Sequence, residues 1–393
     1  MENSIYHSAL LYNCFKKLNL CYVFPQTTMK HIMAILISVF SLGYQGKTID
    51  FEKYSPCHRT TVAHFLNKGK RKDAGLEDIL KSTVIQFVYQ EAQQSGKHVF
   101  CIVDDTISSK TKPSSRAPHP IEDAYFHQSH LKGKQDYGHQ AVAVMLSCNG
   151  IVLNYAIVMY DKSQSKIKIV QEIANELPIP PVPSYFLCDS WYTCGDIMDA
   201  FIKKGFYTIG ALKTNRILYP CGIKQKVSEF ALHLRKTDPD VSLVTVGSRS
   251  YYVHRYEGNL NGIENAVVLI SYPKDAFHVP KALRAFISTD VSLGTREILE
   301  NYVERWPIEV FFRQAKNKLA FDRYQVRSSK GIQRYWLLMS LAHLIACTGC
   351  DEVMSFEDGY AYIYSHIQEE RLRFIYQCGA RHVLFEDVLA FVA

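Results

Sequence analysis

The sequence predicts an α/β protein: a mixed sheet flanked by helices, carrying a β-rich insertion, with helical regions before and after it. Three observations support that expectation. Residues 1–93 show good apolar periodicity, few turn residues and no persistent strand-like alternation. Between residues 98 and 212, short apolar runs alternate with segments of helical spacing. A strand-rich stretch then delays the return of helical patterning until near Thr295.

Taken in order, the first region contains the run from Ser55 to Lys72. It has a polar entry, a helix carrying Val62, Phe65 and Leu66, and a basic exit at Gly69-Lys70-Arg71-Lys72. This suits a helix-turn-helix that binds DNA as well as it suits a surface helix followed by a solvated charge run. Residues 98–103 form an apolar strand ending in Asp104-Asp105-Thr106. Residues 140–147 and 151–160 are β-rich and are joined through Asn149-Gly150, a strong hairpin signal. Residues 165–177 have helical spacing through Ile167, Val170, Ile173 and Ala174. The stretch Pro178-Ile179-Pro180-Pro181-Val182-Pro183 forbids helix and acts as a stiff connector. Residues 185–188 form a strand ending at Asp189, 194–204 a helix stopped by Gly205, and 207–212 a further strand. Strand, strand, strand, helix, strand, helix, strand is the element order of a ribonuclease-H-like fold, lacking only its last helix. Candidate strands at 241–246, 251–256, 266–272 and 285–288 make the intervening segment an insertion before that helix. The expected domains are thus 1–93, helical and DNA-binding; 94–212 with 291–345, the core; 213–290, the insertion; and 346–393, a C-terminal helical region.

Composition sets the outer bounds. The 393 residues suffice for roughly two to three domains, and 47% hydrophobic residues suffice for a sizeable core. A net charge of +7 leans toward polyanionic partners without naming one. Eleven irregularly spaced cysteines behind no secretory leader point to a reducing, cytoplasmic setting. The pair Cys347 and Cys350 has no second ligand pair nearby, so zinc is disfavoured. Apolar stretches at 32–42 and 336–347 fall short of the roughly 20 residues a bilayer span needs and read as buried helices. No P-loop, dinucleotide fingerprint or nucleophile elbow is present.

The segment from Tyr302 to Lys316 carries the strongest chemical signal. At about 100° per residue, Tyr302, Arg305, Glu309 and Lys316 fall within roughly a 60° stripe of one helix. An aromatic, a guanidinium, a carboxylate and an ammonium on one line suit phosphate and metal, and taken alone they suit an exposed helix face with an Arg305–Glu309 pair equally well. Pro307 interrupts the pattern, either kinking the helix or opening a new one at its first position. Asp105 and Asp189 end predicted core strands, where an unpaired buried carboxylate costs several kcal/mol. Three acids converging on one rim would repel one another unless metal ions share them, and two Mg²⁺ ions on oxygen ligands would give a phosphoryl-transfer site. Trp306 is expected to pack in the core. The connection after Asp105 holds Lys110, Lys112, Arg116, His119, His127, His130, Lys132 and Lys134, a basic track whose histidines read as solvated. Lys318, Arg323, Arg327, Lys330 and Arg334 extend the positive character beyond Lys316.

Tyr302, Arg305, Glu309 and Lys316, spaced Y-x2-R-x3-E-x6-K, match without a gap the Y-R-E-K signature of cut-and-paste insertion-element transposases of the IS-four type. Asp105-Thr106 and Cys188-Asp189 resemble the two aspartate motifs of that family, and the likeness spans about 98 to 345. The resemblance implies a DDE transposase whose catalytic, metal-binding residues are Asp105, Asp189 and Glu309, with two Mg²⁺ ions for which Mn²⁺ substitutes. Tyr302, Arg305 and Lys316 would contact DNA near the cleaved phosphate, with Lys110, Lys318 and Arg327 along the track. Adjacent strand residues point to opposite faces, so only one of Asp104 and Asp105 ligates. The family's aspartate directly before the threonine favours Asp105. Expected partners are the element's terminal inverted repeats, target DNA and a second copy in a homodimer, with no membrane and a nucleoid-associated location. The competing readings are a catalytically inactive, domesticated DNA-binding relative and a ribonuclease-H-like nuclease that cuts without joining.

Overall fold

A computed structural model describes residues 6–69, 73–116, 120–129, 132–349 and 353–392. Six helices come first: α1 (Ala9–Lys17), α2 (Leu20–Val23), α3 (Gln26–Val39), α4 (Thr48–Glu52), α5 (Arg59–Asn67) and α6 (Asp73–Ser95). The first apolar run lies in α3, whose residues from Ile32 to Val39 are all buried, so it is a core helix. Helix α5 turns Val62, Phe65 and Leu66 inward, the three residues expected to anchor it. The basic exit at Lys70, Arg71 and Lys72 lies outside the described residues.

The sheet follows. Its strands are β1 (Phe100–Ser109), β2 (Tyr125–Ser129), β3 (Lys134–Cys148) and β4 (Ile151–Tyr160), then β5 (Ser184–Cys188) and β6 (Phe206–Leu212), with α7 (Lys166–Glu176) and α8 (Gly195–Ile202) between the later ones. Strand β1 is central: it runs antiparallel to β3 and parallel to β5, which is parallel in turn to β6. Strands β2 and β4 both pair with β3. The β3–β4 hairpin turns where Asn149 and Gly150 hold φ of 48° and 86°. Positive φ at both central residues matches the twist of the flanking strands, which explains the Asn-Gly pair. Ser165 caps α7 by accepting the Lys168 N–H at 3.2 Å.

Two expectations need correction here. Strand β1 does not end at the aspartates; it runs on to Ser109, because β3 is long enough to pair with it from Phe100↔Ser147 to Ser109↔Gly138. The connection after Asp105 is therefore partly strand. It also holds β2, whose His127 is buried against the Gly138 carbonyl (3.2 Å) rather than solvated. His119 and His130 lie outside the described residues.

The insertion comprises β7 (Ile217–Leu218), β8 (Gln225–Lys226), α9 (Val227–Phe230), β9 (Val241–Val246), β10 (Arg249–Leu260), β11 (Ile263–Pro273) and β12 (Arg284–Ser288). It is no detached layer. Strand β12 pairs antiparallel with β6 and then with β11, so the sheet continues unbroken in the order β2-β3-β1-β5-β6-β12-β11-β10-β7-β8. A second apolar core, including Leu218, Val227, Leu260, Val268 and Ile287, lies under it.

Five helices close the chain: α10 (Thr295–Val303), α11 (Pro307–Asn317), α12 (Ser329–Thr348), α13 (Phe356–Ala380) and α14 (Phe385–Val392). Helix α12 holds the second apolar run, is buried along most of its length and packs on β4, α5, α6 and α13. It runs straight through residue 345, where the sequence places the end of the core. Arg334, expected as surface charge, is instead buried in it. Its guanidinium donates to the Leu66 carbonyl (3.0 Å), the Gly69 carbonyl (2.6 Å) and the Asp73 carboxylate (2.7 Å). One side chain thus satisfies the carbonyl end of α5 and ties the N-terminal helices to the core. Cys350 of the Cys-x-x-Cys pair lies outside the described residues. Among the described residues no helix is long and apolar enough to cross a membrane.

Candidate active site

Parallel pairing sets the level of the site. Val103 of β1 lies opposite Cys188, the last residue of β5, so Asp104 and Asp189 are the next residues along two neighbouring strands. Asp189 begins the connection to α8 and is fixed there: its Oδ1 accepts the N–H of Trp191 at 2.9 Å and of Tyr192 at 3.3 Å.

The third acid arrives on α11. Pro307 opens a new helix, having no N–H to lose at that position. Tyr302 therefore belongs to α10, and the single stripe expected from Tyr302 to Lys316 is split by the turn at Arg305. Ile308, Phe311, Phe312 and Ala315 bury one side of α11. The other side carries Glu309 and Lys316. Arg305 joins the parts: Nη1 donates to Asp104 Oδ2 at 2.7 Å, and Nη2 to Glu309 Oε1 at 3.3 Å. Two turns beyond Glu309, Lys316 Nζ donates to Thr106 Oγ1 at 2.7 Å and to the Ile107 carbonyl at 3.3 Å. Asp104 and Thr106 share a face of β1, as the two-residue period requires, and α11 lies along it.

Asp105 faces the other way. Its Oδ2 accepts from Lys166 Nζ of α7 at 2.7 Å and from the Tyr192 hydroxyl at 2.8 Å, and its Oδ1 accepts from the Gln140 amide. The structure thus places Asp104 beside Glu309 and Asp189, whereas Asp105, the acid expected on the rim, is bonded to Lys166, Tyr192 and Gln140.

The charges register this crowding. Burial, followed by the nearby Asp189 and Glu309, raises the Asp104 carboxyl from 3.8 to about 7, against the opposing pull of Arg305. Burial lowers the Lys316 ammonium, partly offset by Asp322. Among the described residues no three His, Cys, Asp or Glu side chains are placed to hold a metal ion. The donors nevertheless fit one in kind: carboxylate oxygens suit Mg²⁺ or Mn²⁺, and their mutual repulsion is what a divalent cation relieves.

The remaining expected residues divide. Tyr302 is half-buried against Phe286, ring centres 4.8 Å apart, and burial pushes its hydroxyl up to about 12. Lys318 is exposed and lies 5.1 Å above the Tyr360 ring, and Arg327 is also exposed. Lys110 is not on a surface track. It donates to the carbonyls of Asp322 (2.7 Å) and Tyr324 (3.0 Å) beside the Tyr324 ring, and burial lowers it to about 8. Trp306, expected in the core, is 60% exposed at the turn between α10 and α11. Sequence reasoning passed over Lys166, Gln140 and Tyr192, whose partner is 61 residues away for Lys166 and 87 for Tyr192. Strand alternation alone contained a usable signal, since it puts Asp104, not Asp105, on the side of Thr106.

No curated protein matches the chain. Residues 95–345, from just before β1 into α12, match the transposase DDE domain. That stretch is more than half of the chain and contains every acid of the site, so the protein belongs to the transposase DDE domain family.

Proposed function

We propose that this transposase cleaves and rejoins DNA by metal-dependent phosphoryl transfer, with Asp104, Asp189 and Glu309 as its acidic triad on a ribonuclease-H-like core. The observation that carries the reading is the Asp104–Arg305–Glu309 bridge beside Asp189: acids from β1, the end of β5 and α11 meet on one rim. The strand order β4-β3-β1-β5-β6 and the spacing of Tyr302, Arg305, Glu309 and Lys316 support the finer assignment to the cut-and-paste insertion elements of the IS-four type.

Asp104, Asp189 and Glu309 would hold the metal pair, which when bound activates the attacking oxygen and stabilises the leaving one. The protein's own groups do the rest. Arg305 offers a planar fork suited to phosphate oxygens, and its bond to Asp104 keeps that fork at the rim. Lys316 adds positive charge beside Thr106 on the same face. The exposed Trp306, which follows Arg305, and the exposed Lys318 and Arg327 would add aromatic and basic surface for DNA. Lys110 contributes by fixing the chain after α11. The same in-line displacement serves both end cleavage and attack of the freed 3′-OH on target DNA, so one site suffices for both steps.

The test is cleavage of DNA bearing the inverted repeats that flank the gene, in Mg²⁺ or Mn²⁺, comparing wild type with Glu309→Gln. End-specific nicking and joining by wild type, with binding but no cutting by the variant, is the expected result. Cutting without joining would make the protein a nuclease. Binding without cutting in either metal would leave only a DNA-binding relative.

A further inference from the structure

Behind the rim lies a second cluster that touches no expected substrate. The Asp105 carboxylate is bonded to Lys166, Gln140 and Tyr192. Tyr192 is fully buried, and its backbone N–H donates to Asp189 Oδ1 at 3.3 Å. Its neighbour Trp191 makes the other backbone bond to Asp189, and the Lys166 ammonium sits 4.3 Å from the centre of the Trp191 ring. Both residues that grip Asp189 through their backbones are thus gripped in turn, one by Asp105 and the other by the lysine paired with Asp105.

We propose that Asp105 is a positioning residue that sets Asp189 through Tyr192, so that one strand supplies an acid to the rim and, from its opposite face, the anchor for the next acid. The inference rests on the triad reading above. Asp189 lies in a connection with no ladder beyond Cys188, so its orientation depends on the loop that follows. Among the described residues, the Tyr192 hydroxyl finds its hydrogen-bond partner in Asp105. Fixing that hydroxyl fixes the Tyr192 backbone, and the Tyr192 and Trp191 amides then hold the Asp189 carboxylate. Outer partners of this sort orient acidic ligands and change metal affinity without touching the metal.

The test uses the whole chain and Mn²⁺ alone, with affinity measured by titration calorimetry. Tyr192→Phe keeps the buried ring and removes only the hydroxyl. It is expected to weaken Mn²⁺ binding by about tenfold with an unchanged circular dichroism spectrum. Asp105→Ala should weaken it comparably, and Asp105→Asn, which retains an acceptor for the hydroxyl, should recover part of the loss. The Asp105→Ala, Tyr192→Phe double variant should bind no more weakly than the worse single one, since both remove the same link. A purely structural role predicts additive losses in stability and no change in affinity. Wild-type affinity in Tyr192→Phe overturns the proposal. So does loss of all binding in Asp105→Ala while Tyr192→Phe is unaffected, which would make Asp105 a direct ligand. Failure of the triad reading looks different: Asp104→Ala would then bind Mn²⁺ as the wild type does.

Discussion

Replacing Asp104 by asparagine should make stability depend less on pH, whereas replacing Asp105 should simply cost stability. The Asp104 carboxyl is held near 7 in the folded chain, against 3.8 for the ordinary group. Below pH 3.8 both folded and unfolded chains carry the proton, and no difference arises. Between 3.8 and 7 the unfolded chain releases a proton that the folded chain retains, so stability falls as pH rises. At about 1.4 kcal/mol per unit, the deficit is on the order of 2 kcal/mol at pH 5 and about 4 kcal/mol at pH 8. An asparagine side chain at this position has no proton to release. In metal-free protein, Asp104→Asn loses the charge that pairs with Arg305 at 2.7 Å at either pH, so its stability relative to wild type should be clearly higher at pH 8 than at pH 5. Asp105→Asn removes the charge that pairs with the Lys166 ammonium, which is only 13% exposed, and should cost roughly 1–3 kcal/mol. Urea unfolding in EDTA at the two pH values measures both. An equal stability difference between Asp104→Asn and wild type at both pH values refutes this. The variant should also cut no DNA, since the triad reading makes Asp104 a metal ligand.

Three further outcomes follow from features away from the rim. His343 in α12 is fully buried between Phe311 and Phe356, and burial lowers it to about 3. It stays neutral while the unfolded chain gains a proton, so about 2 kcal/mol of stability should be lost between pH 7 and pH 5. Thermal unfolding of His343→Leu should show that slope removed, and an unchanged slope would assign it to other groups. Gly359 brings α13 against α12 so closely that a Cβ would lie 1.7 Å from the Ala346 carbonyl oxygen. Gly359→Ala should cost at least about 1–3 kcal/mol by urea titration, and a neutral result would show that the two helices pack loosely. Arg334→Ala leaves the carbonyl end of α5 and the Asp73 carboxylate without their shared donor, a loss of about 3–5 kcal/mol. Urea unfolding should show that loss, and stability equal to wild type would refute the clamp.

Local signals in the sequence account for much of this architecture. The Asn149-Gly150 turn, the Ser165 cap and the proline connector after α7 are each determined within a few residues, and strands β4 and β9 match their expected limits, residues 151–160 and 241–246. What escaped was set by distant pairing. The extension of β1 through the two aspartates depends on the length of β3, and the joining of β12 to β6 on a ladder between separate segments. The site divides in the same way. Arg305, Glu309 and Lys316, singled out by spacing, and Asp189, singled out as the end of a strand, are brought to one side of β1. Between the adjacent aspartates the sequence favoured Asp105 from its neighbouring threonine, whereas the structure puts Asp104 on the face that α11 covers. Lys110 and Trp306 were misplaced because exposure belongs to the tertiary fold: a lysine finds two carbonyls after α11, and a tryptophan sits at the break that Pro307 introduces.

The unbroken sheet has a consequence for how this chain tolerates change. The insertion leaves the core from β6 and returns to it on β12, directly alongside, with the Thr289 N–H on the Thr208 carbonyl at 2.9 Å and Asp290 accepting from the Tyr185 hydroxyl at 3.1 Å. Entry and exit are thus stitched together before α10 begins. Whatever lies between them can lengthen, shorten or be exchanged at its hairpin tips, such as Asn261-Gly262, without shifting the register from which Glu309 is launched. The arrangement behaves as a graft with a fixed scar: the place where lineages of such a protein can diversify in size, and where a reporter domain can be spliced in, is the far edge of the same sheet whose centre carries the acids.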